Sequence, residues 1–183
     1  MILSDLSDGM LDEAKIKLGK YNNIQFKKID IMDIPYEDET FDFVIANMML
    51  YHIPDLQKGL LEVKRVLKQK GVFYCATFGE NGINQYISSV LKPGKIKDEY
   101  SFTLQNGKSK LEKFFANTKR IKYEDSLEVT NTKDLVDYIY TTISFNSIES
   151  DLSRDEVESI FEEKKQSRAI RIPKEYGMFI SYK

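Results

Sequence analysis

The stretch from Phe26 to Ile53, FKKIDIMDIPYEDETFDFVIANMMLYHI, constrains the fold of this chain more than any other. It holds two short apolar runs, each ending in a polar residue, joined by an acidic connection that contains Pro35. The first run, Phe26-Lys27-Lys28-Ile29, ends at Asp30; the second, Phe41-Asp42-Phe43-Val44-Ile45-Ala46, ends at Asn47. Runs of Phe, Val and Ile without strict alternation suit strands of a sheet covered by helices on both faces. Sheets of that kind bind ligands beyond the carboxyl ends of their strands, where Asp30 and Asn47 then lie.

The flanking sequence continues the alternation of strands and helices. Ile2 to Asp5 is a short apolar run closed by an acid, and Ser7 or Asp8 can cap a helix with Met10, Leu11, Ala14 and Leu18 on one face and Gly19 at its end. Asp55 is placed to cap a second helix, with Leu56, Leu60, Val63 and Leu67 on one face. Strands are expected at Ile2–Asp5, Gln25–Ile29, Phe41–Asn47, Val72–Phe78, Ile121–Glu128 and Met178–Tyr182, the first four parallel and the last antiparallel. Phe41–Asn47 is expected inside the sheet; finding it helical, or on a sheet edge exposed to solvent, would sink the assignment. Helices are expected around Ile83 to Leu91, around Leu111, Phe114 and Phe115, along Leu135, Val136, Ile139 and Ile143, and after the capping box Ser153-Arg154-Asp155-Glu156. Arg120 to Thr130 reads as a strand with a turn, and Lys92 to Tyr100 as an exposed loop. Gly79-Glu80-Asn81-Gly82 has no basic partner and reads as a turn, not a phosphate loop.

A chain of 183 residues is expected to form one domain with a real core. Its 27 Lys+Arg and 29 Asp+Glu give a formal charge of -2, which offers no electrostatic case for nucleic acid. No long uncharged apolar run is present, so no membrane partner is expected. Cys75 is the only cysteine, which excludes an internal disulfide and fits a reducing, cytoplasmic setting. Within an apolar strand it reads as core, not as a nucleophile. His52 is the only histidine and the candidate general base.

Several of these features recur together, in one order, in a known family. Asp30, then Ile34-Pro35-Tyr36, then Phe41-Asp42-Phe43-Val44, then Tyr51-His52 resembles the central block of class I S-adenosylmethionine-dependent methyltransferases of the small-molecule type. There the turn is Leu-Pro-Phe-like. Asp5 followed by Ser7-Asp8-Gly9-Met10-Leu11 is similar to the family's second strand and following helix. Leu61 to Gly71 resembles its Glu-x-x-Arg-Val-Leu-Lys-Pro-Gly-Gly, with Gln69-Lys70-Gly71 where the family has Pro-Gly-Gly, so the proline is lost while the turn glycine Gly71 remains. The resemblance implies a three-layer Rossmann-like α/β sandwich, a mostly parallel sheet with an antiparallel last strand. It implies S-adenosylmethionine as cofactor and a small molecule as methyl acceptor.

By the same resemblance, Asp5 accepts hydrogen bonds from the ribose hydroxyls, Asp30 binds the adenine amino group and the Ile31 N–H faces an adenine nitrogen. Leu6 and Met10 are candidates for the adenine walls, with ordinary helix–sheet packing as the alternative, and Asn47 lies near the methionine end. The acceptor is expected near Tyr51, His52 and Phe78. The resemblance also gives the Tyr51-His52 pair a structural role as a turn, as an alternative to His52 acting as a base.

The family's first strand, first helix and intervening glycine-rich loop should precede Asp5, and no Gly-x-Gly-x-Gly occurs anywhere in the chain. The resemblance therefore implies a methyltransferase domain lacking its N-terminal segment. Its first strand would lie between those matching Ile2–Asp5 and Phe41–Asn47. The resulting gap must close by direct pairing of those strands, be filled from another chain, as in a homo-oligomer, or leave the chain poorly folded. Two functions follow: a methyltransferase whose full activity needs the missing segment, or a non-catalytic remnant or partner subunit that binds cofactor weakly or not at all. A nicotinamide dehydrogenase would also place an acid after a second strand, but has no counterpart to the Pro35–Asp42 and Leu61–Gly71 blocks.

Overall fold

The computed structural model describes residues 1–92, 100–141 and 152–183. Strand β1 (Ile2–Asp5) leads into helix α1 (Asp8–Leu18), and β2 (Gln25–Lys28) returns parallel to β1 with Asp5 opposite Lys28. The α1 start follows from its cap: the Ser7 side chain accepts a hydrogen bond from the Met10 N–H, and Gly19 closes the other end. Strand β3 (Phe41–Asn47) is followed by a 3-10 turn (Leu50–His52) and α2 (Leu56–Val66), whose first turn is capped by Asp55 accepting from the Lys58 N–H. Strand β4 (Leu67–Phe78) then lies parallel to β3.

The remaining described elements are α3 (Ile83–Leu91), α4 (Gly107–Leu111), β5 (Ala116–Val129), α5 (Thr132–Thr141), α6 (Arg154–Glu162) and β6 (Ile170–Tyr182). The sheet order is β3-β4-β6-β5, with β6 antiparallel to both neighbours, and β1-β2 form a separate two-stranded sheet. The capping box at Ser153 and Glu156 forms as read from the sequence, both reciprocal bonds being present. Ile143 and the Pro93-Gly94 loop lie outside the described residues.

Two clusters make the core. Phe73, Cys75 and Phe179 face α2 and α4, where they meet Leu60, Val63, Phe102, Leu104 and Leu111. A second cluster joins Ile87 of α3, Leu135 and Ile139 of α5 and Val157 and Phe161 of α6 to Ile170 and Ile172 of β6. On a strand, Ile170 and Ile172 share a parity opposite to that of Phe179, so helices pack against both sides of the four-stranded sheet. This is the layered α/β arrangement the alternating pattern predicts.

The boundaries of four elements differ from the sequence reading. β4 begins at Leu67, not Val72, because Leu67 leaves α2 and pairs at once with Phe41; with Gln69-Lys70 where a proline was lost, nothing removes a ladder donor. β5 is one strand of 14 residues without a turn. At Ser126, which pairs with Pro173, the ladder continues, and the Ser126 N–H is satisfied locally by Asp125 Oδ1 at 2.8 Å. β6 correspondingly starts at Ile170 instead of Met178. The helix at α4 stops at Leu111, and both Phe114 and Phe115 donate backward to the Leu111 carbonyl in a tightened turn.

The larger departure concerns β3. The sequence reading puts it inside the sheet; in the structure it is an edge strand, hydrogen-bonded to β4 alone, with Phe43 61% and Ile45 70% exposed. The gap between β1 and β3 is not closed by direct pairing. β1 and β2 are instead tied to the rest through the following loop. The Glu62 carboxylate accepts from the Ile34 N–H at 2.9 Å, while Arg65 donates to the Ile34 and Tyr36 carbonyls and to Asp38. Ile31 packs over Gly59 of α2. These bonds explain why the Ile34-Pro35-Tyr36 and Glu62-to-Gly71 blocks occur in one chain: the second clamps the first.

Candidate active site

The carboxyl ends of the strands carry the residues singled out for the cofactor. Asp5 ends β1 half-buried, and its Oδ1 accepts the Ser7 N–H at 2.8 Å. Asp30 lies two residues past Lys28, the partner of Asp5 in the ladder, and its Oδ1 accepts the Met32 N–H at 2.8 Å. Each carboxylate thus has one oxygen held by a backbone N–H, which fixes its orientation and leaves the second as an acceptor. Leu6 and Met10 flank Asp5 and are 60% and 59% exposed. They are therefore not packed as ordinary core, the alternative weighed for them. Ile31 is half-buried through its contact with α2, and Asn47 is exposed at the end of β3.

The donor set fits the adenosine end of S-adenosylmethionine: two oriented carboxylates for hydroxyl and amino donors, with two exposed apolar side chains beside them. Asp5, Leu6, Met10, Asp30 and Ile31 gather on the β1–β2 unit, whereas Asn47 belongs to the other sheet.

After Asn47 the chain turns sharply. Met48 takes a φ of 53°, a left-handed conformation uncommon for a non-glycine residue and one that concentrates at functional sites. Its N–H donates to the Ala76 carbonyl at 3.0 Å, and the 3-10 turn that follows presents Tyr51 and His52. Tyr51 sits 4.3 Å from the His52 ring and 4.7 Å from Phe78, and Phe78 meets Tyr100 edge-on at 4.9 Å, all centroid to centroid. These residues line a cavity of about 450 Å³ that continues to α3, Tyr138 and β6. Tyr51, His52 and Phe78, expected around the acceptor, are thus brought together. None of the cofactor candidates lines this cavity. His52 is exposed, and its N–H donates to the Met49 carbonyl within the turn.

The sequence reading missed the far wall. Glu175 of β6 lies across Gly79, so close that a Cβ there would sit 2.1 Å from Glu175 Oε2. The Asn81 N–H donates to that oxygen at 2.8 Å, Gln105 Nε2 reaches both oxygens at 3.0 Å, and Lys122 is 3.7 Å away. Burial alone would raise the Glu175 carboxyl; the hydrogen bonds from Asn81 and Gln105 and the Lys122 charge outweigh it and hold the group below its ordinary range. The turn Gly79–Gly82 is thus shaped around a carboxylate supplied by the chain itself. The two glycines three apart were the available signal, but nothing in the sequence pointed to a partner 94 residues away. Burial, with repulsion from Tyr176 added, raises the phenols of Tyr51 and Tyr138, so both stay protonated. Burial also pushes the Cys75 thiol up to about 12, which removes it as a nucleophile.

Residues 1–75 match a family described as the methyltransferase domain. Over 105 residues the chain is 35% identical to the ubiquinone/menaquinone biosynthesis C-methyltransferase of Rickettsia prowazekii (strain Madrid E), a match covering 56% of this chain and 38% of that protein. The match thus spans about two fifths of the length of such curated relatives. A putative methyltransferase from Bacillus halodurans superposes with a TM-score of 0.65 at 15% identity, covering 99% of this chain and 81% of the other. Phosphoethanolamine N-methyltransferase 2 of Haemonchus contortus, solved in complex with phosphomonomethylethanolamine and S-adenosylhomocysteine, superposes with a TM-score of 0.53 at 18% identity, covering all of this chain and 43% of the other. By sequence over residues 1–75, and by fold along its length, the chain resembles the class I S-adenosylmethionine-dependent methyltransferases.

Proposed function

We propose that this chain takes part in S-adenosylmethionine-dependent methyl transfer to a small-molecule acceptor. The observation that carries the reading is the pair of oriented carboxylates, Asp5 and Asp30, at the ends of β1 and β2; a partly aromatic cavity of acceptor size at the ends of β3 and β4 supports it. When bound, the cofactor supplies a methyl group on a sulfonium, an electrophile that needs no further activation. Asp5, Asp30 and the Ile31 N–H would hold its adenosine end, with Leu6 and Met10 as apolar walls and Asn47 toward the methionine end. The chain's remaining task is proximity and orientation: Tyr51, Phe78 and Tyr100 hold the acceptor, and the cavity excludes water from it.

His52 serves as part of the turn that carries Tyr51: its ring lies tilted at 55° to that of Tyr51, and its backbone N–H closes the turn on the Met49 carbonyl. A charge of -2 gives no basis for a nucleic-acid partner, and no described helix is long and apolar enough to cross a membrane. The unpaired, buried Cys75 supports a cytoplasmic setting.

One observation favours a second reading, a subunit that binds cofactor weakly. Beside Asp5 the apolar Leu6 and Met10 are open to solvent, and no Gly-x-Gly-x-Gly pattern occurs in this sequence. Calorimetric titration with S-adenosylmethionine decides between the two. Binding that Asp5→Ala weakens by about 1.5–3 kcal/mol, the worth of a charge-assisted hydrogen bond, supports the methyl-transfer reading. Absence of binding, or binding indifferent to Asp5→Ala, supports the weak-binding subunit.

A further inference from the structure

We propose that the cavity beside Phe78 is a receptor for an alkylamine, so that the acceptor is an amine and not a phenol or a carboxylate. This rests on the methyl-transfer reading only for the word acceptor; the receptor itself is argued from the cavity walls. Much of the wall is aromatic, with Tyr51 and Phe78 from the β3 and β4 ends, Tyr100, Tyr138 from α5 and Tyr176 from β6, while α3 contributes the uncharged Ile83, Asn84, Gln85 and Ser88. Aromatic faces carry negative quadrupole charge and attract a cation within about 6 Å. One wall already does so, since Lys174 Nζ lies 5.6 Å from the Tyr176 ring centroid.

The charges around the cavity select the same sign. Glu80 and Glu175 both line it. Among the described lining residues the lysine is Lys174, and its ammonium is bound to Asp125 at 2.6 Å, leaving it uncommitted to an anionic guest. Glu175 has Lys122 at 3.7 Å, and Glu80 Oε1 accepts from Thr103 at 2.7 Å. A carboxylate guest would meet these acids without a matching cation. A neutral phenol would donate one hydrogen bond to them but bring no charge. An ammonium satisfies acids and rings alike; to accept a methyl its nitrogen first releases a proton to solvent, and the freed lone pair then forms the N–C bond as the C–S bond of the sulfonium breaks. Tyr51 and Tyr138 remain neutral phenols, so the cavity keeps its donors and its modest charge across the physiological range.

The test compares two probes of one shape: choline, and its uncharged isostere 3,3-dimethylbutan-1-ol. Each gives a nine-proton methyl signal whose broadening on titration with the whole chain reports its Kd. The expected result is that choline binds about tenfold tighter or more, the fold-change a partly desolvated cation–aromatic contact supplies. Tyr138→Leu, at an exposed position that the core does not need, and Glu175→Gln should each reduce that preference at least threefold. Equal affinity for the two probes overturns the inference, as does no saturable binding of choline, or a preference unaffected by both variants. The methyl-transfer reading is tested separately by S-adenosylmethionine titration. A charge preference without cofactor binding keeps the receptor and removes the enzyme, whereas methylation of a phenol without a charge preference does the reverse.

Discussion

Replacing Gly79 by alanine should cost the fold several kcal/mol, through one side chain. The added Cβ would lie 2.1 Å from Oε2, 2.2 Å from Cδ and 2.5 Å from Cγ of Glu175, and its three nearest neighbours are all atoms of that residue. Contacts so short force the carboxylate out of the turn. It then loses the Asn81 N–H, both approaches of Gln105 Nε2 and the Lys122 charge. Because Asn81 and Gln105 are exposed and rehydrate, the loss is nearer one charge-assisted bond and some strain than four bonds, about 2–4 kcal/mol. The same reasoning requires coupling. Glu175→Ala removes the atoms that clash, so the double variant should be about 2 kcal/mol more stable than the sum of the single losses. Urea denaturation read at its midpoint measures all three variants. Additivity within about 0.5 kcal/mol would refute the account, since neighbours this close cannot act independently if the clash is real.

The Glu62–Arg65 clamp gives a pH dependence. Its hydrogen bond with Arg65 holds the Glu62 carboxyl below its ordinary range, so it contributes stability present above the unfolded carboxylate pKa and lost as pH falls through its lower folded value. Wild type should therefore exceed Glu62→Gln in urea midpoint at pH 7, with the difference shrinking toward pH 3; a constant difference would show that charge is irrelevant there. The Tyr36 hydroxyl is buried with no hydrogen-bond partner, so Tyr36→Phe should leave thermal stability unchanged or raise it by up to about 1 kcal/mol. A loss of stability would show that the hydroxyl is paired in solution. Where methyl transfer can be assayed, His52→Ala should leave turnover nearly unchanged, and a loss of about 100-fold or more would make His52 the general base.

What was legible in the sequence depended on how far apart the interacting residues lie. α1, α2 and α6 were readable because Ser7, Asp55 and Ser153 cap helices within three residues of themselves. The parallel strands β1 to β3 were readable because each is a short apolar run closed by a polar residue that faces the ligand side. The antiparallel pair β5–β6 was only half readable. The β5 half was read as a strand with a turn, while the first half of β6 was missed, because Lys174 and Glu175 are polar positions stabilised only across the ladder, as in the Asp125–Lys174 pair. The acceptor cavity suffered in the same way. Tyr51, His52 and Phe78 stood at strand ends and could be placed, while Glu175, Tyr176 and Tyr138 enter from elements whose position only the tertiary fold decides.

The apolar run of β3 carries the remaining discrepancy, and its parity resolves it. Val44 and Ala46 share one side and join the core against α2, while Phe43 and Ile45 share the other and stand exposed beside Tyr74. A strand apolar at both parities is written for cover on both faces. The rest of that exposed side agrees, since Ile121, Tyr123 and Tyr182, which share its parity across the ladder, are also among the exposed large side chains. An apolar face of this extent, bordered by an unpaired strand edge, is unusual for a soluble domain and exposes both the side chains and the backbone groups that drive association. The resemblance expected a further strand to run along this edge, between β1 and β3. Among the described residues neither β1 nor β2 pairs with the free edge of β3. The cofactor candidates are divided between the two sheets, Asp5 and Asp30 with one and Asn47 with the other, so the S-adenosylmethionine affinities of Asp5→Ala and Asn47→Ala, measured side by side, report whether both sheets contribute to one site.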